Sequence, residues 1–253
     1  MHLLLINANT TASITELLVT RAREIVSPGA TVTGVTARLG ARYVATRAAY
    51  AIAAHAALDA YAEYGTAADV IILACFGDPG LMALREVSAV PVIGMAEASC
   101  QMAARRGRFA IVTGGEGWIP MLREFVTVIG LGDRLASVRA VPPSGAEIAT
   151  DPSRGHAMLA RECRGAASDD GAEIVILGGA GLVGIADAIA HDVPVPLIDC
   201  LTASIRAAEN AIGKAERNAT PGMPPHAPAV ESTGLGPRLS ALLAGRRPAD
   251  VAP

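Results

Sequence analysis

The sequence predicts an α/β protein of two similar Rossmann-like halves, each built on a parallel sheet. A pseudo-twofold axis relates the halves, and a site lies in the cleft between them. Three observations predict this. The chain has 253 residues, 51% hydrophobic and 18% charged, enough for one large or two small α/β cores and too apolar for disorder. Short, nearly continuous apolar runs alternate with longer helix-like stretches, the pattern of parallel strands covered on both faces. Three strand-and-loop units also recur in order at almost one spacing.

The elements read as follows along the chain. Strands are predicted at Leu3–Ile6, Ala30–Thr36, Val70–Ala74, Pro91–Gly94, Phe109–Thr113, Val138–Val141, Ile174–Leu177 and Val195–Ile198. Helices are predicted at Ser13–Val26, Val44–Tyr64, Ala96–Arg105, Trp118–Ile129, Ser153–Ala167 and Thr202–Glu216. A further helix is expected after Cys75, led in by Gly77-Asp78-Pro79 with Pro79 as its first residue. The repeat lays Asp69–Cys75 on Glu173–Gly179 at an offset of 104, Val90–Ser99 on Val195–Ser204 at 105, and Leu3–Asn7 on Phe109–Thr113 at 106. It divides the chain into a first half (1–95, completed by a C-terminal helix at about 199–217) and a second half (96–198). A Pro/Gly-rich tail (218–253) reads as mobile, with at most a short helix around Arg238–Ala244.

Composition narrows the partners. Twenty-one basic against 24 acidic residues leave no electrostatic footprint for nucleic acid. No apolar run has the length of a membrane span, and the N-terminus lacks a charged region ahead of Leu3–Ile6, so no signal peptide is expected. These features predict a soluble cytoplasmic protein. Cys75, Cys100, Cys163 and Cys200 form no CxxC or Cys/His cluster, so no metal site is expected and each reads as a free thiol. No GxGxxG follows the first strand, which argues against a dinucleotide cofactor.

In open parallel sheets, ligands bind beyond the carboxyl ends of the strands. The loops there are Asn7–Thr10, Cys75–Pro79, Thr113–Glu116 and Gly178–Gly181, and their glycines suit backbone N–H contacts to a small carboxylate or imide. Cys75 is the leading chemical candidate, since a thiol at a helix N-terminus is expected to have a lowered pKa. Cys100 and Cys163 read as core. Glu116 and Trp118 are candidates for shaping the pocket, and Asp78 for capping the following helix or orienting the Cys75 loop. Glu97 and Asp199 lie near strand ends as helix caps or supporting groups. No histidine (His2, His55, His156, His191, His226) falls in a site loop.

INANTT (Ile6–Thr11), ACFGDPG (Ala74–Gly80), PVIGMAEA (Pro91–Ala98) and ILGGAGL (Ile176–Leu182) resemble the motif set of the Asp/Glu/hydantoin racemase family. The similarity runs from Met1 to about Gly213, and ACFGDPG resembles the hydantoin and allantoin racemase branch. Ala8 stands where the usual motif has proline. The resemblance implies two α/β halves, no pyridoxal phosphate, no metal and a homo-oligomer. It also implies two cysteines flanking the substrate stereocentre, one removing the α-proton and the other returning one. Cys75 matches the first. Asn9 and Thr10 match the polar ligand loop, and the amides of Phe76, Gly77, Ala180 and Gly181 would hold substrate oxygens, with Thr113 and Gly114 beside them. The second cysteine is replaced by Gly179. Three routes then remain open: Cys200 as a displaced second acid, water or another polar group in the space at Gly179, or one-faced chemistry with a single thiol. The functional readings are a hydantoin-type racemase, a one-thiol decarboxylase, lyase or cis–trans isomerase, and a small-ligand binder without catalysis.

Overall fold

The structure, a computed structural model, describes residues 1–142, 151–217 and 228–251. Its first sheet holds β1 (His2–Asn7), β2 (Thr31–Thr36), β3 (Val70–Leu73) and β4 (Val92–Gly94) in the order β2-β1-β3-β4. The second holds β5 (Phe109–Gly114), β6 (Leu135–Val141), β7 (Ile174–Gly178) and β8 (Leu197–Asp199) in the order β6-β5-β7-β8. Every pairing is parallel. The sequence repeat is the repeat of the fold: Leu4 pairs with Ile71 and Ile71 with Val92, while Ala110 pairs with Val175 and Val175 with Leu197.

The helices are α1 (Ala12–Ile25), α2 (Arg47–Tyr64), α3 (Leu81–Val87), α4 (Met95–Ala104), α5 (Trp118–Val128), α6 (Pro152–Ser168), α7 (Ile185–Ile189), α8 (Cys200–Arg217) and α9 (Pro237–Leu243). Strand β3 is buried along its whole length, as a parallel strand covered on both faces must be. On β5 the two faces separate by period two. Phe109 and Ile111 join the large core that runs through both halves, while Ala110 and Val112 join a smaller core under α6 and α7. Helix α4 leaves the first sheet to lie on β5, β7 and β8, and α8 returns to pack on β3, β4 and α1.

Two helix starts differ from the sequence reading for local reasons. Helix α2 starts at Arg47 rather than Val44, because the Thr46 side chain accepts the Ala49 amide at 3.2 Å and caps it there. Residues 41–46 are thereby freed to form a loop. Helix α3 starts at Leu81, two residues after Pro79, because Gly80 takes a left-handed φ of +81° before it. The short α7 between Gly184 and the last strand was not foreseen.

The tail corrects the expectation of a mobile segment. Its part at 218–227 lies outside the described residues, but 228–251 folds back onto α2. Leu239 and Ala241 are buried, and Arg238 pairs with Glu63 at 2.9 Å. Apolar side chains on a short helix need a surface to cover them, and α2 supplies it for this one. No helix of the described residues is long and apolar enough to cross a membrane.

Candidate active site

The carboxyl ends of both sheets face one cavity of about 90 Å³ between the halves. The first half contributes Asn9, Thr11, Ile14, Cys75 and Phe76, together with the loop residues Arg42, Tyr43 and Val44. The second half contributes Thr113, Gly114 and Trp118, and the run from Gly179 to Leu182. The space holds only a small molecule, since one water requires on the order of 10–15 Å³ by this measure.

Cys75 sits on the wall in the turn that follows β3, closed by the Asp78 amide donating to the Cys75 carbonyl at 2.9 Å. Asp78 has a positive φ of 54°, and its side chain reaches away from α3 to the start of α4. There its two oxygens accept the amides of Ala96 at 2.9 Å and Glu97 at 2.8 Å. Asp78 thus caps α4 rather than the helix that follows it in sequence. Burial lifts its carboxyl to about 7, against the two amide donors that favour its ionised form. Replacing Asp78 with alanine should remove both bonds and cost about 1–3 kcal/mol. Thermal denaturation should show this as a fall in Tm of about 2–4 °C per kcal/mol; an unchanged Tm would mean that water replaces the carboxylate.

Behind Cys75 the turn is braced. Tyr50 donates its hydroxyl to the Gly77 carbonyl at 2.6 Å, and its ring meets Trp118 edge-on at 6.3 Å. Gly77 holds a φ of +113°, and a Cβ there would meet the Trp118 ring at 2.6 Å. Gly77 therefore lies behind the indole and is not on the cavity wall, which corrects its assignment as a substrate contact. Trp118 takes that place on the wall. Glu116 does not.

The expected lowering of the Cys75 pKa is also corrected. Helix α3 does not begin at the thiol, and burial together with the Asp78 charge pushes the thiol up to about 12. The desolvation of a thiolate outweighs whatever the loop dipoles supply.

Asn9 is on the wall as predicted. Its Oδ1 accepts from the Thr11 amide at 2.9 Å and from Asn7 Nδ2 at 3.2 Å, which directs its own amide donors elsewhere. Thr10 is not on the wall: its amide donates to the Ala41 carbonyl at 3.1 Å, and Thr11 faces the cavity instead. Phe76 spans the cleft, its ring lying where a Cβ on Gly178 would sit, so the residue after Cys75 touches the residue before Gly179. Ala180 and Gly181 open a 3₁₀ turn at Ala180–Leu182, so their amides have no acceptor within it. Thr113 and Gly114 line the cavity at the end of β5.

Cys200 is brought close in the chain fold but turned away from the cavity. It is fully buried at the start of α8, and its thiol donates to the Gly179 carbonyl at 3.7 Å. Burial, then the neighbouring Asp199 charge, holds it firmly protonated. Cys200 is thus a support beneath the Gly179 loop and not a second acid on the wall. Asp199 caps α8 through Thr202 and also accepts the Gly184 amide at 2.7 Å, while Glu97 pairs with Arg85. Cys100 and Cys163 are core residues. Among the described residues no group of His, Cys, Asp and Glu is placed to hold a metal ion.

Sequence reasoning missed Arg42, Tyr43 and Val44. The strand-end rule pointed to them, since their loop follows β2, but the loop carries neither glycine clusters nor periodicity. Thr11 donates to the Arg42 carbonyl at 2.7 Å, Tyr43 donates to the Gly114 carbonyl at 2.6 Å, and Arg47 forms two bonds to Glu124. The loop is therefore strapped to both halves across one side of the cleft.

Known proteins share this arrangement. The chain is 37% identical over 145 residues to a hydantoin racemase of Pseudomonas sp. (strain NS671), an alignment that takes in 57% of this chain and 58% of that relative. That is less than two thirds of the relative's length. A hydantoin racemase of Paenarthrobacter aurescens is 31% identical over 215 residues, covering 84% of this chain and 91% of the relative. The crystal structure of allantoin racemase from Pseudomonas fluorescens superposes with a TM-score of 0.83 at 31% identity, covering 91% of this chain and 100% of that one. A model of the family described as Asp/Glu/Hydantoin racemase matches residues 3–208, which include both sheets and the whole cavity wall, and the chain belongs to the Asp/Glu/hydantoin racemase family.

Proposed function

We propose that this protein is a cofactor-independent racemase of the hydantoin type, in which the Cys75 thiolate takes the acidic C5 proton of a small 5-substituted hydantoin. The observation that carries the reading is the position of Cys75. It is the only cysteine on the wall of a cavity that otherwise offers amides, hydroxyls and apolar groups. The relatives named above act on hydantoins or allantoin, whose ring carbonyls suit such donors.

In this reading the ring lies between the Cys75 turn and the loop from Gly179 to Leu182. The amides of Phe76, Ala180 and Gly181 and the side-chain amide of Asn9 hold the carbonyl oxygens. They stabilise the enolate-like charge that forms as the proton leaves. Cys75 passes from thiolate to thiol, and the carbanion is then protonated from one face or the other. Return from Cys75 restores the starting enantiomer, whereas return from the opposite face inverts it. Gly179 offers no proton on that face, so water admitted beside it supplies inversion. Exchange of the C5 hydrogen is therefore expected to outrun loss of optical activity. The same vacancy favours a second reading, a one-faced lyase or decarboxylase on this scaffold. The test is proton NMR in D2O on single-enantiomer hydantoins and allantoin, with polarimetry in parallel. Exchange above a Cys75→Ala control with loss of optical activity supports the racemase reading, exchange with optical activity kept supports the one-faced reading, and no exchange overturns the hydantoin reading.

The pH dependence follows from the thiol. With the Cys75 pKa near 12, the thiolate fraction grows about tenfold per pH unit throughout the neutral and mildly alkaline range. Enzyme-dependent exchange, after subtraction of the Cys75→Ala rate, should climb continuously from pH 6.5 to 9.5. A plateau beginning below pH 8 would contradict a base raised by burial.

A further inference from the structure

We infer that Arg42 selects a C5 substituent carrying a negative charge, so that the preferred substrates are hydantoins with a short carboxylate arm. The inference rests on the hydantoin reading above and names the substrate class within it. Among the residues that line the cavity, Arg42 alone carries a permanent charge, and no Asp, Glu, Lys or His joins it. A site without a facing carboxylate has nothing to receive an ammonium group, which disfavours free amino acids. A guanidinium at the rim, by contrast, offers a planar fork that matches a carboxylate.

The backbone of Arg42 is fixed from both sides. Thr11 holds the Arg42 carbonyl at 2.7 Å, and the Thr10 amide holds that of Ala41 at 3.1 Å. The next residue, Tyr43, bonds the second half through the Gly114 carbonyl. The side chain thus starts from an anchored point at the exposed rim, while Cys75 lies buried on the wall. Among the described residues Arg42 forms no ion pair, unlike Arg38, Arg47, Arg85 and Arg139, each of which is matched to acidic neighbours. Cys75 and Arg42 line the same small cavity, and the inferred pose seats the ring against Cys75 with a C5 arm of one or two carbons reaching this unmatched cation.

The experiment compares hydantoin-5-acetate with its neutral isostere, hydantoin-5-acetamide. For the wild type, kcat/KM for C5 exchange should be about tenfold or more higher for the carboxylate. Arg42→Met should erase that preference, the acetate losing about tenfold or more relative to the acetamide, Arg42→Lys should keep part of it, and added salt should narrow it. Equal rates for the two ligands in the wild type overturn the inference, and so does an equal loss for both in Arg42→Met, which would assign Arg42 to the ring or to the loop. Calorimetric binding to Cys75→Ala supplies a readout independent of turnover. There the acetate should bind about tenfold tighter than the acetamide, and the advantage should vanish on adding Arg42→Met. Preferential acetate binding with no exchange in the wild type would remove the racemase reading and leave the anion subsite standing. Equal exchange and equal binding would do the reverse, and failure of the acetate to bind at all overturns the inference.

Discussion

Cys75→Ala is expected to abolish enzyme-dependent C5 exchange, lowering it by on the order of 10²–10⁴ towards the uncatalysed rate, while the protein stays folded and still binds ligand. The side chain is small, and it sits on a cavity wall rather than in the middle of the core. Removing one sulfur there leaves the Tyr50 bond to Gly77 and the Asp78 bonds to α4 in place. A melting temperature within a few degrees of wild type, together with lost exchange, assigns the chemistry to the thiol. Exchange retained in the variant would remove Cys75 from the mechanism and assign the chemistry to another group on the cavity wall.

The second large effect is expected from Gly179→Cys. Gly179 follows β7 as Cys75 follows β3, at the repeat spacing of 104, and both line the cavity. A Cβ at Gly179 would lie in ordinary contact with Leu182, at 3.4 Å from its Cγ, and 3.9 Å from the Thr113 hydroxyl. The position therefore has room for a side chain. Its φ of +156° costs strain of about 1–3 kcal/mol, a loss the fold should survive. The added thiol supplies the missing proton on the far face. The ratio of racemisation to exchange should rise by about tenfold or more, towards one inversion per exchange, since the far-face thiol delivers a solvent-derived hydrogen with inversion. The comparison needs only polarimetry beside NMR in D2O on one enantiomer. An unchanged ratio would mean that another group already serves that face as efficiently as a thiol.

Much of the fold was legible because its signal is local and repeated. Runs such as Val70–Leu73 and Ile174–Leu177 have no polar residue to present to water, so each must be covered on both faces. Their recurrence at 104 to 106 residues placed Cys75 and Gly179 at equivalent strand ends before any packing was known. The loops that build the wall were harder to read. Arg42 and Tyr43 lie in a stretch without periodicity, and their role arises from bonds to Thr11 and Gly114, residues far away in the chain. Thr10 and Thr11 are indistinguishable by type. Only the folded loop, in which the Thr10 amide bonds Ala41, puts Thr11 rather than Thr10 on the cavity wall. The tail followed the same rule, since Leu239 could be placed only once α2 was seen to offer a surface to it.

By itself the sequence determined two parallel sheets, the order of their strands in the chain, the thiol at the end of β3 and its absence at the end of β7. Each of these follows from apolar periodicity or from residue identity, which neighbours in space cannot change. The tertiary structure decided direction and environment. Cys200 was one of three open routes to a second acid, yet its thiol turns to the Gly179 carbonyl beneath the loop. Cys75 was expected to ionise readily at a helix start, yet Gly80 displaces that start and burial raises the thiol instead. Side-chain direction and the cost of holding a charge are set by whatever packs around a group from distant parts of the chain.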